Sequence, residues 1–215
     1  MIHIHARKPD GTPSFEIEDY KAITEAIKAE AGDVIINYST GAMGVSVEKR
    51  IAYLRELRPD VAALNMGSMN YAKYSKRRKE FVFSFVFENS FNDIIHFVEA
   101  MNALGIRPEH ECFELGHIGS LLPLIDMGLL EQPLLVNCVM GVLGGAPATG
   151  DNLAHPKAVP AVVQAMGVEM AERCEEIRHA DAAWLGRAGP RGDVGRGLGR
   201  DHREPVEASS VHSSR

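Results

Sequence analysis

Strand-like and helix-like segments alternate along the first two thirds of the chain, and that alternation restricts the fold more than any other feature. Met1–Ala6 reads as a strand, Glu18–Ala31 as a helix with Tyr20, Ile23 and Ile27 on one side, and Asp33–Ser39 as a short buried strand. Ser46–Leu57 follows as a helix capped by Ser46, then Val61–Met66 as a strand, Asn92–Leu104 as a helix and Glu109–Leu115 as a strand. Ile118–Met127 reads as a helix, Leu134–Val142 as a strand and His155–Met170 as a helix. Strands separated by helices at this spacing pair in parallel through right-handed crossovers. Five such strands are legible, from that of His3 to that of Val136. They suit either an open doubly wound sheet or part of an eight-stranded (β/α)8 barrel. No GxGxxG follows the first strand, which disfavours a dinucleotide fold.

Two segments stand outside the alternation. Lys73–Glu80 reads as a basic insertion and Phe81–Phe87 as an extended apolar piece. The Lys76-Arg-Arg-Lys79 run suits an anionic group such as a CoA phosphate, or simply a solvated loop. From Gly186 to Arg215 the chain is rich in glycine and arginine and has no apolar periodicity. An RNA-touching tail and a shifted reading frame of GC-rich DNA both produce such text, and the shifted frame is preferred because the change is abrupt. The expected division is therefore a patterned domain over 1–170 and an atypical tail over 171–215.

Composition excludes several classes. A formal charge of −6 argues against a broad nucleic-acid surface. Three cysteines without CxxC spacing read as reduced thiols, and no apolar run is long enough to span a bilayer. No signal peptide is visible, so the cytoplasm is the expected compartment.

Polar side chains collect where strands end, which in a barrel is the rim that carries the active site. His3 and His5 stand two apart on a strand and so share a face. Side by side they suit a zinc-class ion, and the competing reading is a pair of structural histidines. Glu111 shares a face with Phe113, whereas Glu114 falls on the opposite one. Glu111 is thus the inward candidate, unless it is an ordinary solvated strand end. His117 is a rim group or a helix cap. Ser39, Thr40 and Gly41 offer hydroxyls and free N–H groups to a carboxylate or phosphate, or form an ordinary turn. Asn65 to Ser68 has the same form.

Together these motifs resemble the β-keto acid cleavage enzymes. The resemblance rests on His3-Ile-His-Ala-Arg7 with Pro9-Asp-Gly-Thr-Pro-Ser14, Ile36-Asn-Tyr-Ser-Thr-Gly41, Leu64-Asn-Met-Gly-Ser68, Glu111-Cys-Phe-Glu-Leu-Gly-His117 and Gly141-Val-Leu-Gly-Gly145, in the family's order. It runs from about Ile2 to about His155. It implies a TIM barrel of which strands 2 to 6 are present here. It implies a divalent metal such as Zn2+ on His3 and His5, and Glu111 as an active-site carboxylate. Ser39, Thr40, Gly41, Asn65 and Ser68 would hold substrate. The implied reaction condenses a β-keto acid with acetyl-CoA to give acetoacetate and a new CoA thioester, in a homo-oligomer. The family's late Gly-Ala-Gly-Arg-like and Gly-Leu-Glu-Asp-Asn-like segments have no counterpart here. The second of these carries the third metal ligand and an acidic base, so a truncated chain of weak or no activity is expected. A zinc hydrolase of amidohydrolase type and a non-catalytic remnant are the alternatives.

Overall fold

A computed structural model describes residues 1–152 and 169–170. The elements run β1 (Ile2–Ile4), α1 (Ile17–Ala31), β2 (Ile36–Tyr38), α2 (Val47–Leu57), β3 (Val61–Asn65), β4 (Met69–Ser75), β5 (Glu80–Phe87) and α3 (Phe91–Leu104). They continue with β6 (Arg107–Cys112), α4 (Leu115–Gly119), α5 (Leu121–Asp126), β7 (Leu135–Cys138) and β8 (Glu169–Met170). Local chemistry explains the helix ends. Ser46 accepts from Lys49 N–H and Ser90 from Asp93 N–H at the starts of α2 and α3. Gly105 closes α3 at φ +68°, where a side chain would be strained.

Six strands form one parallel sheet in the order β1-β2-β3-β6-β7-β8. The order never reverses. Each right-handed crossover therefore places its helix on the same side, unlike a doubly wound sheet, whose order turns back and whose helices cover both faces. Side-chain burial agrees. Ile4, Ile36, Tyr38, Leu64, Cys112 and Val136 come from one face of the strands and pack with Tyr20 of α1, Leu54 of α2, Met101 of α3 and Leu124 of α5. The register pairs His3 with Asn37, and Asn65 with Glu111 and Asn137. Those residues occupy the opposite face, so the sheet is apolar towards its helices and polar on the other side.

The five expected strands are all present and parallel, but several boundaries differ. β6 ends at Cys112, so Glu114 is not on a strand; it precedes α4 in an extended conformation. The helix expected over Ile118–Met127 is two short helices, α4 and α5. Pro123, in the first turn of α5, has no N–H to continue a ladder from α4. β7 stops at Cys138, ahead of a turn through Gly141 at φ +83°. Glu169 and Met170, expected at the end of a helix, pair with Leu135 and Val136 of β7. Both are good helix formers, and the open ladder of β7 overrides that preference. The rest of that helix and the tail over 171–215 lie outside the described residues.

The two segments outside the alternation form one element. Lys73–Glu80 and Phe81–Phe87 belong to one antiparallel hairpin of β4 and β5, with Tyr71 against Phe83, Phe85 and Phe87 across the strands. Lys76-Arg-Arg-Lys79 forms its tip, where Arg78 pairs with Glu80 at 3.1 Å. Among the described residues, no helix is long and apolar enough to cross a membrane.

Candidate active site and its relatives

The polar face gathers side chains from four strands. His3 and His5 leave β1 on that face, with ring centroids 4.8 Å apart and Nε2 atoms 3.1 Å apart. Glu109 and Glu111 project from β6. His3 Nδ1 lies 3.6 Å from Glu109 Oε2. The ligand-capable atoms of His3, Glu109 and Glu111 all lie within 4.8 Å of one another. Asn37 of β2 donates to Glu109 Oε2 at 2.6 Å, and Asn137 of β7 donates to Oε1 at 3.4 Å.

The electrostatics divide these groups. Burial, with positive charge from His3 and Arg7, pushes His5 down to about 4, so its ring is neutral at pH 7 and keeps a lone pair. For His3 burial works downward, but the bond to Glu109 and the charges of Glu111 and Glu109 win and move it up. Burial raises Glu111 to about 7, against His3 and with help from Glu109. Burial also works upward on Glu109, where bonds from His3 and Asn37 outweigh it and hold the carboxyl low.

This donor set fits a zinc-class ion. Two nitrogens on one tetrahedral zinc, each about 2.0–2.1 Å from it, stand about 3.3 Å apart, close to the 3.1 Å found between His3 and His5. Carboxylates beside the pair supply oxygen donors and negative charge.

The other sequence candidates are placed as follows. Ser39 directly follows β2, and its carbonyl accepts from Tyr53 OH at 2.8 Å and Tyr20 OH at 3.3 Å. Its Oγ accepts from Gly41 N–H at 3.3 Å, which leaves the hydroxyl proton to donate. Thr40 is buried and donates to the Ala63 carbonyl at 2.5 Å, so it anchors the loop. A methyl group on Gly41 would stand 3.2 Å from Phe87 Cζ and 3.4 Å from Asn65 Nδ2, which places this turn beside Asn65. Ser68 sits at the hairpin base, where its Oγ accepts from Asn89 N–H at 2.8 Å. His117 is buried under Gly67, and its Nδ1 accepts from Phe113 N–H.

Sequence reasoning missed Glu109, because Glu111 was weighed against Glu114. The signal was available: period two puts Glu109 and Glu111 on one face whatever the strand's limits.

A model of the beta-keto acid cleavage enzyme family matches residues 1–186. The chain belongs to this family. It is 36% identical over 170 residues to the 3,5-dioxohexanoate:acetyl-CoA acetone transferase of Paraburkholderia graminis, a match covering 72% of this chain and 54% of that protein. It is 36% identical over 154 residues to the 3-keto-5-aminohexanoate cleavage enzyme of Acetoanaerobium sticklandii, covering 71% and 52%. The 3-oxoadipate:acetyl-CoA acetyltransferase of Cupriavidus necator matches at 30% identity over 155 residues, covering 72% and 50%. This beta-keto acid cleavage enzyme family member thus spans about half the length of the curated relatives it matches. Among solved structures, the oxaloacetate complex of ObcA matches 61% of this chain and 28% of its own, with a TM-score of 0.49 at 22% identity.

Proposed function

We propose that this protein cleaves a β-keto acid with acetyl-CoA as co-substrate, releasing acetoacetate and a new CoA thioester, at a zinc-class metal held by His3 and His5. The observation that carries the reading is the convergence of the His3 and His5 Nε2 atoms at 3.1 Å, with His3 also grouped with the carboxylates of Glu109 and Glu111. The relatives are named for acetyl-CoA-dependent transfers and for β-keto acid cleavage, which supports the substrate class. The unreversed strand order and the single helix-covered face support reading the sheet as part of a (β/α)8 barrel with its polar face inward.

A cation held by His3 and His5 would supply Lewis-acid chemistry for the keto oxygen. His3 and His5 present their ring nitrogens to the cation. Ser39 donates its hydroxyl proton to the substrate carboxylate, in a turn fixed by Thr40 and shaped by Gly41 and Asn65. Glu111, which titrates near 7 in the free chain, holds or releases a proton beside the reacting carbonyl. Ser68 borders this site from the hairpin base. In net terms the CH2–COO− fragment of the keto acid joins the acetyl group, and CoA leaves on the remaining acyl group.

A hydrolase of amidohydrolase type would need further strand-end histidines beside the pair. His110 faces the helices with Nδ1 at the Leu135 carbonyl, and His117 is held at Phe113. The reduced thiol of Cys112 suits a cytoplasmic enzyme. A panel of β-keto acids, incubated with the protein, zinc and acetyl-CoA, tests the proposal. A new CoA thioester that disappears in His3→Ala and His5→Ala supports it, and an equal yield from those variants refutes the metal assignment.

A further inference from the structure

We infer that Glu109 is a positioning residue for the metal site, holding His3 by Nδ1 so that Nε2 faces the cation. The inference rests on the metal reading proposed above. It adds a residue that none of the sequence motifs singled out.

Glu109 lies within ligand reach of His3 and Glu111, but its oxygens are already engaged. Its Oε2 accepts from Asn37 Nδ2 at 2.6 Å and its Oε1 from Asn137 Nδ2 at 3.4 Å, so both oxygens are engaged by amides. Only 5% of the residue is exposed. Asn37 reaches it from β2 across β3 because the residue in register with Glu109 on β3 is Ala63, fully buried and too short to obstruct. Amides from β2 and β7, one on either side, thus clamp the carboxylate at a fixed height, one pleat before Glu111. The free direction of Oε2 points at His3 Nδ1, 3.6 Å away. At that separation the two form an ionic contact longer than a hydrogen bond.

The chemistry of a metal-bound imidazole explains the arrangement. A histidine that binds a cation through one ring nitrogen carries its proton on the other. A carboxylate at that proton fixes the tautomer, orients the ring and makes the ligand more basic. Nothing comparable touches His5 Nδ1 among the described contacts, so His3 is the histidine held in place.

Competition titration of zinc against a chromophoric chelator tests this on the full 215-residue chain. Glu109→Gln keeps the shape and one accepting oxygen, replaces the other with an amide donor, and removes the charge. It is expected to weaken zinc binding about 10–100-fold at unchanged stoichiometry, whereas His3→Ala abolishes it. Asn137→Ala, which frees one side of the clamp and leaves the charge, is expected to weaken zinc by a smaller factor. A long-range proton–nitrogen spectrum of the metal-free chain supplies a readout that a purely structural role would not move. The His3 proton sits on Nδ1 in the natural chain and shifts towards Nε2 in Glu109→Gln. Unchanged zinc affinity and an unchanged tautomer in folded Glu109→Gln overturn the inference and leave the metal reading standing. Loss as complete as in His3→Ala makes Glu109 a ligand and also overturns it. No zinc uptake by the natural chain removes the metal reading and this inference together.

Discussion

Glu109 and Glu111 stand two residues apart on the same face of β6, yet one carboxyl is held charged and the other is pushed towards the neutral acid. Glu109 accepts two amide bonds and faces His3, and these outweigh its burial. Among the described contacts no amide reaches the Glu111 carboxyl, and burial raises it to about 7. One strand therefore presents a fixed anion and a titrating group side by side.

The pair gives a pH dependence with a definite sign. Glu111 holds its proton more tightly in the folded chain than in the unfolded one. Between the ordinary carboxylate range and about pH 7 the folded state binds more protons, so stability falls as pH rises through that window. Glu109 acts in the opposite sense. Its contribution is present above its unfolded value and is lost as pH falls through its lowered folded value, below the window set by Glu111. His5, pushed down to about 4, acts against Glu111 between about pH 4 and 6.5, so the Glu111 contribution is read as the difference between the natural chain and Glu111→Gln. From pH 5 to pH 8, urea unfolding of the metal-free natural chain should lose on the order of 2 kcal/mol relative to Glu111→Gln; identical pH profiles for the two would show that Glu111 is not responsible.

Zinc should reverse that cost. A ligand present at about 100 times its dissociation constant adds about 2.7 kcal/mol to the stability of a chain that binds it only when folded. Thermal unfolding with and without zinc should show the rise in the natural chain and not in His3→Ala or His5→Ala. A rise that survives in both variants would place the cation elsewhere.

Gly67 has no room for a side chain. A methyl group there would stand 2.4 Å from His117 Cδ2 and 2.6 Å from Nε2 of a buried, rigid ring. Gly67→Ala is expected to destabilise by about 1–3 kcal/mol, and adding His117→Ala should recover part of that loss. Strictly additive effects in the double variant would mean that the two positions do not clash.

Tyr53 and Tyr20 stack with ring centroids 4.3 Å apart, and both donate to the Ser39 carbonyl. Removing the shorter bond by Tyr53→Phe should cost about 1 kcal/mol, read from the urea midpoint. If Ser39 binds the substrate carboxylate, the same change should raise KM more than it lowers kcat. The reverse split would assign the loop to the chemical step.

The parts of the fold set by local periodicity could be read from the chain. The strand of His3, the helix through Tyr20 and Ile23, and the strand of Val61 needed only an apolar pattern and a stop signal. Features set by distant partners could not. β8 exists because β7 offers it an open edge. The hairpin depends on cross-strand aromatic contacts that become visible only when Tyr71 meets Phe83 and Phe85. The site divides in the same way. His3 and His5 are neighbours in sequence, so strand geometry alone pairs them. Glu109 acquires its character from Asn37 and Asn137, 72 and 28 residues away, and nothing local announces that clamp.

The most direct measurement supplies acetyl-CoA labelled with carbon-13 at both acetyl carbons, together with an unlabelled β-keto acid and zinc, to the protein. Mass spectrometry should find both labels in acetoacetate, at the keto and methyl carbons, and an unlabelled acyl group on CoA. Unlabelled products formed by water, with CoA carrying no new acyl group, would contradict the proposed reaction and favour a hydrolase.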